Sequence, residues 1–242
     1  MAKDVEKTKG NIKLNSEKVR EREKNIKTIQ MTLLIMLLFL IIVYFLLKVI
    51  HETGYFTVTL DTDLEYESGL VMYEKIAEKK EKKVLKATKV EYMDNISVKW
   101  LPQDLNERAE GSHNGENFLA YTFYVENQGS ENINYWYEIL VDDVIKNVDK
   151  AIRVIIYRNG ERTIYAKPNE ITGEPEEGTK IFYSDMQVLL EHRTNFEPGE
   201  IDKFTIVIYL EGDDPDCIDA LIGGDMKMHM DITEEHIPHN NQ

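Results

Sequence analysis

Residues 118–141 read FLAYTFYVENQGSENINYWYEILV. Leu119, Tyr121, Phe123 and Val125 fall on every second position. After the turn NQGS at 127–130, Ile133, Tyr135, Tyr137, Ile139 and Val141 do the same. Successive side chains of a strand point to opposite faces, so this alternation predicts two half-buried strands joined by a turn. The period recurs outward in both directions. It runs through Phe56, Val58 and Leu60 in GYFTVTLD, Phe204, Ile206, Ile208 and Leu210 in KFTIVIYLE, and Met226, Met228, Met230 and Ile232 in MKMHMDI. Asn159-Gly160, between IRVIIYR and ERTIYAK, is a two-residue hairpin signal, because both turn positions need positive φ. EPGE at 197–200 and IGGD at 222–225 mark further turns. Regular strands and turns predict an all-β domain over 54–235, a two-sheet sandwich or jelly roll. Two stretches fall outside the pattern. Tyr73–Lys89 reads as a helix or a long charged connection, and 142–154 as a helical turn before the hairpin.

The period is different at the start. Thr28–Leu47, TIQMTLLIMLLFLIIVYFLL, carries no formal charge over twenty residues. A helix of that length reaches about 30 Å, the thickness of a bilayer's hydrocarbon core. A cleaved signal peptide usually has a shorter apolar region and a small-residue cleavage site, and LLKVIHETGYF offers none. The expectation is a retained signal-anchor helix over 28–50, placing the chain in the plasma membrane as a single-pass protein. Residues 1–27 form a polar arm; residues 1–30 hold nine Lys/Arg against five acids. Lys and Arg stay on the cytoplasmic side, so the arm is expected inside and 54–235 outside, with 236–242 a flexible tail. The 194 residues from 49 onward hold 19 basic and 39 acidic side chains, part of an overall net charge of −15. Acidity on this scale argues against nucleic acid. A single cysteine, Cys217, excludes an internal disulfide framework.

The stretch Tyr121–Ile139, a strand running into an N-x-G turn and then an aliphatic–polar–aromatic step, resembles the TasA and camelysin group of exported bacterial proteins. So does 195–212, NFEPGEIDKFTIVIYLEG, with the GGDMKMHMDI that follows it. The resemblance implies a jelly-roll domain at the cell surface, serving as a biofilm-matrix or fibre component. It also implies that the first strand, here Gly54–Asp61, is donated to a neighbouring subunit in a homo-oligomer. Members of that group are released by a dedicated signal peptidase, whereas this chain keeps an intact anchor. The camelysin name carries a peptidase label, and no residues here support one.

Chemistry concentrates in LEGDDPDCID, 210–219. Glu211, Asp213, Asp214, Asp216 and Asp219 offer hard oxygens suited to calcium, but without an EF-hand frame. Gly-Asp and Asp-Pro pairs are turn formers in their own right, and the turn reading accounts for the stretch best. Cys217 as a nucleophile would need a base such as His192 or His229. His51-Glu52 begins a zinc-protease motif that Tyr55 breaks, and His236 and His239 lie in the polar tail. No nucleophile elbow, phosphate loop or dinucleotide fingerprint occurs. Trp136 must face opposite Tyr135 and Tyr137, where it either stacks on a sugar or a partner, if exposed, or forms a second buried layer under a loop. A basic island at 74–89 could attract wall polymers or lipid. The expectation is a non-enzymatic, cofactor-free surface protein displaying its β domain to matrix proteins, surface proteins or wall polymers. The alternatives are a calcium- or glycan-binding module and a released fibre subunit.

Overall fold

A computed structural model describes residues 2–52, 56–61 and 69–235, and within the helix the side chains of 19, 20 and 22–46. The chain divides into two units, Met1–Thr53 and Gly54–Gln242. The first is one helix, α1 (Ala2–Glu52), in which the polar arm and the apolar stretch are continuous. Its segment Arg22–Leu46 is long and apolar enough to span a membrane, and none of its most apolar window is buried. The two threonines at the start of the apolar run are accommodated internally. The hydroxyls of Thr28 and Thr32 donate to the carbonyls of Lys24 and Thr28, both at 2.9 Å. Such back-bonding leaves no hydroxyl in need of water.

Among the described residues the second unit is all-β apart from short 3₁₀ turns. Its strands are β1 (Thr57–Asp61), β2 (Leu70–Tyr73), β3 (Val84–Lys86), β4 (Gly111–Ser112), β5 (Phe118–Asn127), β6 (Ile133–Ile145), β7 (Ile152–Arg158), β8 (Glu161–Ala166), β9 (Lys180–Ile181), β10 (Gln187–Phe196), β11 (Ile201–Leu210) and β12 (Asp225–Glu235). One sheet has the order β10-β6-β12-β1-β3. The other runs β2-β5-β11-β7-β8-β9, with β4 also on β5. Pairing is antiparallel except for β1 with β12 and β8 with β9. The alternating residues meet between the sheets. Val58, Tyr135, Ile139 and Met230 from the first pack with Tyr121, Phe123, Val154 and Ile206 from the second, all fully buried. Phe123 and Phe204 stack across adjacent strands with ring centroids 5.3 Å apart. Each such side chain contributes about 1.5–3 kcal/mol on leaving water. The hairpin forms as its sequence requires, Asn159 at φ 52° and Gly160 at φ 88°.

The sequence reading needs three adjustments. β5 is buried at all ten positions rather than on one face. Thr205, Glu110 and Lys79 engage Thr122, Tyr124 and Glu126, and the segment 96–105 lies over the outside of the second sheet at Phe118 and Ala120. Ile96, Leu101 and Leu105 pack there against Phe118, Ala120, Ile155 and Val207 as a second, smaller core. Tyr73–Lys89 forms no helix. Of the two readings it is the charged connection, crossing from β2 in one sheet to β3 in the other. Leu85 and Ala87 enter the core, while the seven basic side chains over 74–89 point to solvent or to acids. β6 continues to Ile145 before the helical turn, a 3₁₀ turn at Val148–Lys150.

Candidate functional site

The acidic stretch begins where β11 ends. Leu210 accepts from the Ile96 amide at 2.9 Å, and the Gly212 amide donates to the Ile96 carbonyl at 3.0 Å, so the 96–105 segment is fastened here. Glu211 sits beneath that join. Its carboxylate is buried and accepts from the Tyr209 hydroxyl at 3.0 Å, the Val98 amide at 3.2 Å and the Asp213 amide at 3.1 Å. Three donors on one buried carboxylate balance the cost of removing its charge from water. Asp213 accepts from the Ser97 hydroxyl at 2.7 Å, with Lys99 Nζ at 3.7 Å.

Asp214 and Asp216 turn the other way. Asp214 is fully buried and its Oδ2 is paired with the guanidinium of Arg153, itself 5% exposed. Its Oδ1 accepts from the Asp216 amide at 2.8 Å, an Asx turn of the kind this composition favours. Asp216 accepts from the Glu170 amide at 3.0 Å, and Glu170 pairs with Lys150 at 2.6 Å. Asp219, itself exposed, opens the turn Asp219–Leu221, whose Leu221 is buried. Four of the five acids therefore serve two separate joins. Glu211 and Asp213 hold the 96–99 segment. Asp214, paired with Arg153, orients Asp216, which holds the 169–176 loop at Glu170. Asp219 belongs to neither. Among the described residues, the group with three potential ligand atoms within 4.8 Å of one another is Glu176, Asp214 and Asp216. Two come from the predicted set. Glu176 does not, because it is 38 positions from Asp214 and nothing local in the sequence links them.

A cleft of about 620 Å³ opens between these joins on the outer face of the second sheet, lined among others by Lys99, Arg153, Glu176, Tyr209, Glu211 and Asp214. Burial raises the Tyr209 phenol, and the charge of Glu211 adds to the rise. Arg153 was the other residue missed. Its signal was a cation inside the apolar run IRVIIY, where a buried strand position calls for an equally buried partner.

Cys217 lies half-buried at a second opening of about 340 Å³, between the sheets at the end of the domain. Burial pushes its thiol up. The charges of Asp214 and Glu211 push the same way, against a hydrogen bond from Asn95 Nδ2 at 3.4 Å. A raised thiol is the opposite of the lowered one a nucleophile needs. The two histidines weighed as its base are engaged on the outer face of the first sheet. His192 lies 2.6 Å from Glu235, and His229 lies 2.8 Å from Asp142. Trp136 does face away from Tyr135 and Tyr137, 37% exposed, but its ring stacks on His192 at 4.1 Å and 8°. His51 and Glu52 lie on α1, with side chains outside the described residues, as are His236 and His239 altogether. In the comparisons with known proteins, no family model and no curated protein matches this chain.

Proposed function

We propose that this chain is a non-enzymatic, single-pass surface protein. The arm 1–27 lies in the cytoplasm, 28–50 cross the plasma membrane, and the two-sheet domain is displayed outside for structural or partner interaction. The observation that carries this reading is the state of the helix. Leu33, Ile35, Leu37, Phe39 and Phe45 are each about 60% exposed. Each such side chain gains about 1.5–3 kcal/mol on leaving water, so the segment as a whole selects a bilayer. The excess of Lys and Arg before it supports the orientation. The jelly-roll topology belongs to the same proposal. It is supported by the two sheets and their largely antiparallel pairing, and the parallel β1–β12 pair is its main departure. Protease added to intact cells should remove the two-sheet domain and leave an arm-plus-helix fragment in the carbonate-washed membrane. A domain protected in intact cells would refute the orientation.

A calcium-binding module is the second reading, favoured by the convergence of Glu176, Asp214 and Asp216. Calcium takes six to eight oxygens, and both oxygens of Asp214 already serve protein donors. A melting temperature that rises with calcium and falls with chelator would establish it; indifference to both would remove it. In the fibre reading, β1 would leave β12 and β3 of its own domain, where it is hydrogen-bonded on both sides.

A further inference from the structure

The two ends of the two-sheet domain carry different loops. At one end lie the turns 128–132, 159–160 and 197–200, all short and polar, joined by Gly199 N to Asn127 O at 2.7 Å and Asn159 N to Lys203 O at 2.9 Å. At the other end the loop tips are apolar. Tyr92 is 71% exposed, Ile171 87%, Ile218 59% and Ile222 69%. These tips belong together. Tyr92, Ile218 and Ile222 rim the 340 Å³ opening, whose deeper lining includes Ile208 from one sheet and Met228 from the other. The loop of Ile171 is tied to them by Asp216, which accepts from the Glu170 amide. Single exposed apolar residues are ordinary, but several gathered on one end are not.

β1 runs from this end toward the polar one, since it is parallel to β12 with Thr57 beside His229 and Asp61 beside Thr233. Three residues, 53–55, join Glu52 to Phe56, and an extended chain of that length reaches about 14 Å. We propose that the Tyr92–Ile171–Ile218–Ile222 rim is a second membrane contact, its tips entering the lipid surface in which the helix is anchored. The inference rests on the anchored reading of 28–50. The rim's charges set the depth. Glu91, Asp94, Asp219 and Asp225 line the opening, and Lys146 donates to the Ile222 carbonyl; all of these stay among the headgroups while the apolar tips pass below them. A rim richer in carboxylates than in cations prefers zwitterionic lipid to anionic lipid. Docking in this way would limit the motion of the domain and present its polar end outward.

The test uses the full chain reconstituted into phosphatidylcholine vesicles, in a Cys217→Ser background. Single cysteines replace Ile222, Ile171 or Ser130 and carry an environment-sensitive fluorophore. Emission from labels at 222 and 171 should shift to the blue and be lost on adding nitroxide-bearing lipid. The label at 130, on the polar end, should show neither change. Protein that stays with carbonate-washed vesicles while all three labels behave alike overturns the rim contact and leaves the anchor standing. Protein that washes off overturns the anchor and, with it, the rim.

Discussion

The helix and the two-sheet domain are built from the same apolar side chains, put to opposite use. In the domain, Phe123, Ile139, Ile206 and Met230 are wholly removed from water by the facing sheet. In the helix, Leu37, Phe39 and Phe45 are each about 60% exposed, on a segment that is apolar all round. The domain supplies its own apolar medium. The helix requires one from outside. Periodicity separates the two cases in the sequence: a period of two presents one face to a partner sheet, whereas an uninterrupted run has no face to hide.

If the comparison holds, each unit can be broken without the other. The largest effect is expected from Leu37→Arg combined with Ile41→Arg. A charge at the bilayer centre costs about 2.5–3.5 kcal/mol, so the pair costs about 5–7 kcal/mol. Membrane retention in a carbonate wash should collapse, while the melting temperature of the two-sheet domain stays unchanged. Arg153→Met is the reciprocal change. It leaves Asp214 buried without its cation, and breaking such a pair costs about 3–5 kcal/mol. Denaturant unfolding should register that loss while membrane retention stays intact.

Raised pH should act on the domain alone. Burial is the first cause lifting the phenols of Tyr124 and Tyr137 from 10.0 to about 12, with Glu110 adding to the rise at Tyr124 and Arg158 opposing it at Tyr137. Burial, with the charge of Asp202, also raises Tyr135 well above its ordinary value. Below pH 10 their contribution to stability is complete. Between 10 and about 12 the unfolded chain releases protons that the folded chain keeps, so stability falls as pH rises. Tyrosinate absorbance and loss of near-ultraviolet dichroism should therefore appear together in this window. Ionisation at ordinary pH with the fold intact would show that the phenols are not held as described. The smallest effect is expected at the hairpin. Gly160→Ala places a Cβ at φ 88° and should cost about 1–2 kcal/mol, read as a small drop in melting temperature.

The inward faces were legible because each has solvent or a covering segment on one side and the other sheet on the other. Val58, Tyr121, Ile139, Phe204 and Met230 lie where alternation puts them. The second core was not legible. Leu101 and Leu105 in WLPQDLNE are two lone leucines four apart with Pro102 between them, too few to define a period, yet they help bury Phe118 and Ala120 on the outer face of β5. The acidic stretch was legible as a turn, through its Gly-Asp and Asp-Pro pairs. Its partners were not, because Arg153 is 61 positions from Asp214 and Ser97 is 116 from Asp213. Long-range pairs of this kind leave composition unchanged on both sides.

The most direct test of the central claim is the mass of the mature protein in cells expressing the full gene, taken together with its membrane fraction and the size of the two-sheet domain. The account predicts a chain that keeps residues 1–53, remains in the membrane and carries a monomeric domain. A chain cut near His51–Gly54, whose released domain forms high-mass assemblies, would contradict it and make the helix a signal sequence.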